Sequence, residues 1–259
     1  MISPAQVHIV GAGVAGLAAA VTLIAEGHRV ALYESGQRAG GRCRSFLDAE
    51  LGCRIDNGNH LLLAGNTAAV AYIERIGALD TFERPAEAAL PFIDVATGER
   101  WELRPNRGAV PWWLLDSSRR VPGTRPSDYL EALKLRRAAQ SATVAAVLDS
   151  QSLLFQRLWQ PLAVAALNTG VEDASARLFW RVLAETLGRG GAACRALVPH
   201  QGLSESLIDP ALALLRRQGA DIRFGARLRA IGFAEGRAVE LQFDGSTALL
   251  GPSDSVILA

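Results

Sequence analysis

Three glycines, Gly11, Gly13 and Gly16, stand where the apolar run Val7-His8-Ile9-Val10 meets an alanine-rich stretch over residues 17–25. The spacing Gly-x-Gly-x-x-Gly predicts a strand, a tight turn and a helix. Gly11 allows the turn, Gly13 lets a pyrophosphate reach the backbone, and Gly16 lets the helix pack close to the strand. Ala12, Val14 and Ala15 complete a loop whose unpaired N–H groups and positive helix end suit phosphate oxygens. The chemistry of this stretch is the holding of a dinucleotide.

A second strand over residues 28–33 ends in Glu34, about 20 residues past the glycines, where a carboxylate accepts hydrogen bonds from a ribose 2′-OH. The same charge argues against a cofactor with a 2′-phosphate. Ser35 opens a basic loop in which Gly40-Gly41-Arg42 forms a second phosphate signal: the glycines permit close approach, and Arg42 can fork onto oxygens. Further on, the polar cluster Asp56-Asn57-Gly58-Asn59-His60 sits before Leu61-Leu62-Leu63. Asp-Asn-Gly is turn chemistry; the adjoining His60 and three leucines suit a backbone bend held against a flat ring system. No nucleophile–base pair is visible.

These residues need an α/β framework, and the composition supplies one. The chain has 259 residues, 49% of them hydrophobic, and a formal net charge of +1, with no global pull toward nucleic acid. Basic residues are nearly all arginine; Lys134 is the only lysine. Cys43, Cys53 and Cys194 form an odd, scattered set, which argues against a disulfide framework and for a reducing, cytoplasmic setting. No Cys/His spacing suggests a metal site, and no apolar run reaches the ~18 residues of a membrane span.

The Gly-x-Gly-x-x-Gly start, Glu34, Gly40-Gly41-Arg42 and the turn before His60 together resemble the FAD-dependent amine oxidase and carotenoid desaturase superfamily. Asp56 to Leu63, Phe179-Trp180-Arg181-Val182-Leu183-Ala184-Glu185-Thr186 and Gly202-Leu203-Ser204-Glu205-Ser206 are similar to its squalene-associated branch, the bacterial hydroxysqualene dehydroxylases of hopanoid synthesis. The resemblance covers essentially the whole chain. It implies a Rossmann-like FAD-binding domain with an inserted, mainly helical substrate domain. It also implies FAD as cofactor, and hydride transfer from reduced flavin to the carbon bearing the hydroxyl of hydroxysqualene, giving squalene and water. Asn57, Gly58, Asn59 and His60 would lie beside the flavin, and the backbone near Leu228 would face the adenine. The implied loss of a hydroxyl calls for a general acid; Asp56 and His60 are the candidates, with fixing of their own loop as the alternative role. The electron donor is not legible.

The remaining elements fit two domains, with residues 1–87 and 197–259 forming the FAD-binding part and 88–196 the substrate part. Residues 66–77 read as an amphipathic helix and 88–104 as a β-hairpin. Trp112-Trp113 beside arginines suits peripheral contact with the inner face of the cell membrane or the core of an irregular loop. Helices fill 127–187: one capped by Ser127, one burying Leu154, Leu158, Leu162 and Ala165, and one over 174–187. Their apolar faces suit a helical core or the wall of a channel for a lipophilic triterpenoid. Residues 188–191 read as a mobile glycine connection. A helix over 204–218 carries Leu207, Ala211 and Leu214 and is kinked or broken at Pro210. Strands follow over 221–224, 227–233 and 238–243, the last two joined by a turn at Glu235-Gly236. The chain stops inside an apolar strand over 255–259, which suggests a C-terminally incomplete form. Two rivals stand beside the dehydroxylase reading: another flavin enzyme of the superfamily, such as a carotenoid desaturase or amine oxidase, and a truncated, inactive FAD-binding remnant.

Overall fold

A computed structural model describes residues 5–58 and 61–259. The chain divides into two compact units, one made of Met1–His60, Ala68–Glu83 and Val198–Ala259, the other of Leu61–Thr67 and Arg84–Leu197.

The first unit is built on a parallel sheet of four strands, in the spatial order Asp221–Phe224, Arg29–Glu34, Gln6–Val10, Ser255–Leu258. The central strand pairs Val7 with Val30 on one side and with Ser255 on the other. Strands buried on both faces read as continuous apolar runs, and Ile9, Val30, Ala31, Leu32 and Tyr33 are all buried. Helix Val14–Ala25 buries Gly16, Leu17, Ala20, Val21 and Ile24, the i, i+3, i+4 stripe expected of a core-facing helix, and packs against helix Asp209–Arg217. An antiparallel sheet of Leu228–Ala234, Arg237–Phe243 and Ser246–Leu249 adds a second layer. Phe243 stacks on Tyr33 at 4.5 Å between ring centroids, a contact worth roughly 0.5–1.5 kcal/mol beyond area burial. Its hairpin turn has φ of 52° at Glu235 and 75° at Gly236, the left-handed pair that matches strand twist.

His8 is buried beside Tyr33, whose hydroxyl lies 3.0 Å from Nδ1. Asp254 Oδ2 is 3.6 Å from Nε2, too far for a hydrogen bond. Burial pushes the His8 pKa below its ordinary value, and Asp254 only partly opposes this.

In the second unit, hairpin Leu90–Ile93 with Arg100–Leu103 precedes a helical body. Trp113, Tyr129, Trp159 and Phe179 meet successively edge to face at 5.7, 5.9 and 6.5 Å in its core. Residues Pro126–Arg137 form a 3-10 helix instead of an α-helix. The period of three sorts its sequence into rows: Tyr129, Ala132 and Leu135 are buried, Leu130, Leu133 and Arg136 exposed. Ser127 is not the cap; the Asp128 carboxylate accepts the Arg125 N–H at 2.7 Å.

The next helix buries Leu154, Phe155, Leu158, Trp159 and Ala163. Leu162 packs half-buried against the same core, as expected, whereas Ala165 is exposed: Phe155–Trp159 is a turn of π-helix ahead of Gln160–Leu167, and it rotates the later face. Pro161 has no N–H to give the i→i−4 ladder, and the wider turn absorbs that loss. The same device recurs in the first unit, where π-turn Ser204–Ile208 precedes Pro210. That helix, for which a kink or a break was expected, runs on without a break, and it buries Leu207, Ala211 and Leu215 rather than Leu214.

Residues 188–191 are tightly packed, not a loose connection. A Cβ on Gly190, where φ is 90°, would lie 2.2 Å from the Gly108 carbonyl oxygen, and Gly191 donates its N–H to the Asn106 carbonyl at 2.7 Å. The chain needs glycine there because two backbone segments cross in contact.

Candidate functional site

The first unit brings most of the sequence-picked residues to one place. Gly11 has φ of 108°, and a Cβ there would lie 2.2 Å from the Ala259 carbonyl oxygen; one on Gly16 would lie 1.9 Å from the Gly11 carbonyl oxygen. These two glycines are steric necessities of strand and helix packing. Gly13 differs: a Cβ there would meet nothing within 4 Å. It faces open space, at the N-cap of helix Val14–Ala25, and no side chain caps that end. The first N–H groups of the helix thus receive no side-chain oxygen, and Gly13 itself is bridged to Gly40 of the neighbouring loop. This is the cradle that an anionic bridge requires.

The Glu34 carboxylate stands beside it. Oε2 accepts the Ala12 N–H at 2.9 Å, and Oε1 accepts from the Gly36 N–H at 2.7 Å and the Ser35 hydroxyl at 3.2 Å. The carboxylate is thus fixed by three donors while one lone pair on Oε2 remains for a ribose hydroxyl. Ala226 donates its N–H to the Glu34 carbonyl at 2.8 Å, and Gly225 to that of Gly36 at 2.9 Å. This carries the chain toward Leu228, whose half-buried side chain joins the cluster around Tyr33.

The Gly40-Gly41-Arg42 loop closes over the glycine turn. Gly40 donates its N–H to the Ala12 carbonyl at 2.8 Å, and a Cβ on Gly41 would lie 3.5 Å from Gly13 Cα. Asn57 Nδ2 donates to the Arg42 carbonyl at 3.0 Å, and the Asn57 N–H donates to that of Arg44 at 2.8 Å. Gly58 follows directly, so the polar turn is tied to the loop by its backbone. Asn59 and His60 lie outside the described residues.

Asp56 has structural partners. Its Oδ1 accepts from the Ser45 hydroxyl at 2.5 Å and from the Leu203 N–H at 2.9 Å; the Ser204 N–H in turn donates to Ser45 Oγ at 2.9 Å, and the Ser45 N–H to Ser204 Oγ at 2.7 Å. A Cβ on Gly202 would lie 2.5 Å from Ser45 Oγ, which leaves glycine as the residue that fits. The hairpin Ser45–Asp48 with Cys53–Asp56 is thereby locked to the start of helical segment Ser204–Ile208. Sequence reasoning missed Gly36, Ser45 and this lock. The Gly202-to-Ser206 stretch was a visible signal, but nothing in it shows that its partner lies near residue 45.

In the second unit, Trp113 is 3% exposed and belongs to the aromatic core, so it is unavailable to a membrane. Its neighbour Trp112 is 53% exposed, with the Arg119 guanidinium 4.9 Å from the ring centroid. Among the described residues, no helix is long and apolar enough to cross a membrane, and no cluster of His, Cys, Asp and Glu could hold a metal ion.

Known proteins resemble this chain along nearly all of its length. A family model described as "Flavin containing amine oxidoreductase" matches residues 14–259. A hydroxysqualene dehydroxylase of Rhodopseudomonas palustris is 44% identical over 254 residues, covering 98% of this chain and 61% of the relative. One from Sinorhizobium fredii is 42% identical over 99% of this chain and again 61% of its own length. An oxidoreductase structure from Methanosarcina mazei superposes with a TM-score of 0.71 at 17% identity, covering 98% of this chain and 58% of that one, a likeness of fold alone. The chain thus spans about three-fifths of the curated relatives it matches.

Proposed function

The chain belongs to the flavin containing amine oxidoreductase family, and from that premise we propose that it holds FAD and serves a reductive dehydroxylation of hydroxysqualene. The observation that carries the substrate is similarity above 40% along nearly the whole chain, helical unit included, to relatives bearing that name. The observation that carries the cofactor is the cradle at Gly13, open in front and uncapped, with Glu34 fixed beside it. When bound, reduced flavin supplies the hydride; hydroxysqualene and reduced flavin become squalene, water and oxidised flavin.

This chain's own residues bind and orient. Backbone N–H groups at Val14 and Ala15 take the diphosphate, Glu34 the ribose, and Arg42 a phosphate oxygen. Asp56 positions: its Oδ1 receives Ser45 and Leu203 and holds the hairpin that ends at Asn57 and Gly58. Expulsion of hydroxide without a proton is costly, and His60 is the donor we assign to the leaving oxygen. The exposed Val110, Trp112 and Leu115, with Arg119 beside Trp112, make a peripheral contact with an anionic bilayer, from which a lipophilic substrate enters.

Two measurements test this reading. Gly13→Ala adds a Cβ that meets no protein atom within 4 Å, yet it intrudes on the cradle; FAD affinity drops by about tenfold or more, because the diphosphate loses its approach. Unchanged affinity would refute the assigned cradle. A full-length relative assayed against hydroxysqualene, phytoene and a simple amine turns over only the first; turnover of either of the others transfers the assignment to a desaturase or an amine oxidase.

A further inference from the structure

The basic loop after Glu34 carries three arginines, and the cradle accounts for only one. Arg38 and Arg44 line a separate recess of about 650 Å³ within the first unit, together with Arg54 and Arg216. Loop 36–44 stands between the two places: Gly41 faces Gly13, whereas a Cβ on Gly40 would point at Ile208 Cγ1 and Arg44 Cβ, both in the recess wall. The floor is apolar, formed by Phe46, Ile208, Leu212 and Phe224.

The charge is unbalanced. Four guanidinium groups face one carboxylate, Asp209. Arg54 is neutralised by an ion pair with Glu205, and Arg216 acts on Asp209. Arg38 and Arg44 have no carboxylate partner among the described residues. Burial, with Glu205 nearby, pushes the Asp209 carboxyl upward against the pull of Arg54 and Arg216, which lessens its capacity to neutralise them. Guanidinium groups gathered around an apolar floor repel one another until a multivalent oxyanion bridges them. The volume falls within the range of small-molecule sites.

We propose that this recess binds an organic phosphate with a compact apolar body, the phosphate on Arg38, Arg44 and Arg216 and the body on Phe46, Leu212 and Phe224. The site is independent of the flavin cradle and adds a second ligand to the nucleotide-binding unit.

The test is calorimetric titration of the FAD-saturated protein with 1-naphthyl phosphate. Expected is saturable one-to-one binding, about tenfold or more tighter than 1-naphthol or inorganic phosphate, and about tenfold weaker in R44Q/R216Q. R44K/R216K, which keeps the charges and the stems, retains most of the affinity, and the exposed-site variant R38Q gives a smaller loss, so that a misfolded glutamine pair does not decide the outcome. R136Q/R137Q, in the other unit, has no effect. Displacement of the probe by FAD, binding indifferent to R44Q/R216Q and R38Q, or no saturation at millimolar probe overturns the proposal. Phosphatidate vesicles identify the source: cosedimentation lost in R44Q/R216Q marks a lipid headgroup, and soluble-probe binding without cosedimentation marks a free phosphate compound.

Discussion

In the first unit, Gly11 and Gly16 occupy points where a Cβ would lie 2.2 and 1.9 Å from carbonyl oxygens. In the second, Trp113, Tyr129, Trp159 and Phe179 fill the centre edge to face. The glycine turn of the first unit is specified by side chains that must be missing and the centre of the second by side chains that must be large, although the crossing at Gly190 makes the first demand in the second unit too. The first rule is local and steric; a single added carbon violates it. The second is collective, since many apolar residues of similar volume satisfy a core. The proposed cradle uses the first rule: a ligand can approach backbone only where side chains are absent.

Substitutions can break this contrast, and the largest effect is expected at Gly16. Gly16→Val drives a branched side chain into the Gly11 carbonyl and costs about 4 kcal/mol or more; denaturant unfolding should show it together with loss of FAD binding. Trp159→Ala removes the middle of the aromatic chain at about 3–4 kcal/mol while FAD affinity, read by fluorescence, stays unchanged. Coupled loss of FAD binding in Trp159→Ala would erase the distinction between the units. Asp56→Ala leaves the Leu203 N–H and the Ser45 hydroxyl short of an acceptor, at about 2 kcal/mol. Asp56→Asn retains an oxygen acceptor, loses less stability and keeps turnover in a full-length relative; abolished turnover at preserved stability would make Asp56 the proton donor instead.

The smallest effect is a pH dependence. His8 is held neutral by burial, so its folded pKa lies below the unfolded value of about 6.5. The unfolded chain then binds the extra proton first. Stability is full above about pH 6.5 and falls as the pH drops toward the folded value. The loss is smaller than that at Asp56, because one imidazole is involved and Asp254 partly offsets its burial. His8→Gln should flatten that part of the stability profile; an unaltered slope removes His8 as its source.

Legibility follows the same division. The glycine turn, the Glu34 position and the strand–helix–strand start are readable because each rests on a steric or electrostatic demand that few residues meet. The hairpin turn at Glu235-Gly236 is legible for the same reason. The helical character of the second unit is legible too, but Pro126–Arg137 is 3-10 and the faces after Phe155 are rotated. Hydrophobic periodicity reads only an ideal period; an extra residue in a π-turn beside Pro161 shifts it. The Ser45–Asp56–Ser204 lock escapes because its ends are 159 positions apart along the chain. The tight crossing at Gly190 escapes for a related reason: its partner, Gly108, lies far away in sequence.

The strand Gln6–Val10 finds one of its two neighbours in Ser255–Leu258. During synthesis that edge must wait for roughly 250 residues, some 12–50 s at the usual 5–20 residues per second. Throughout that interval the nascent nucleotide half stands open on one flank while the intervening helices emerge. Chaperone dependence and yield should therefore respond to the rate of translation across the whole stretch between the two strands, the helical insert included.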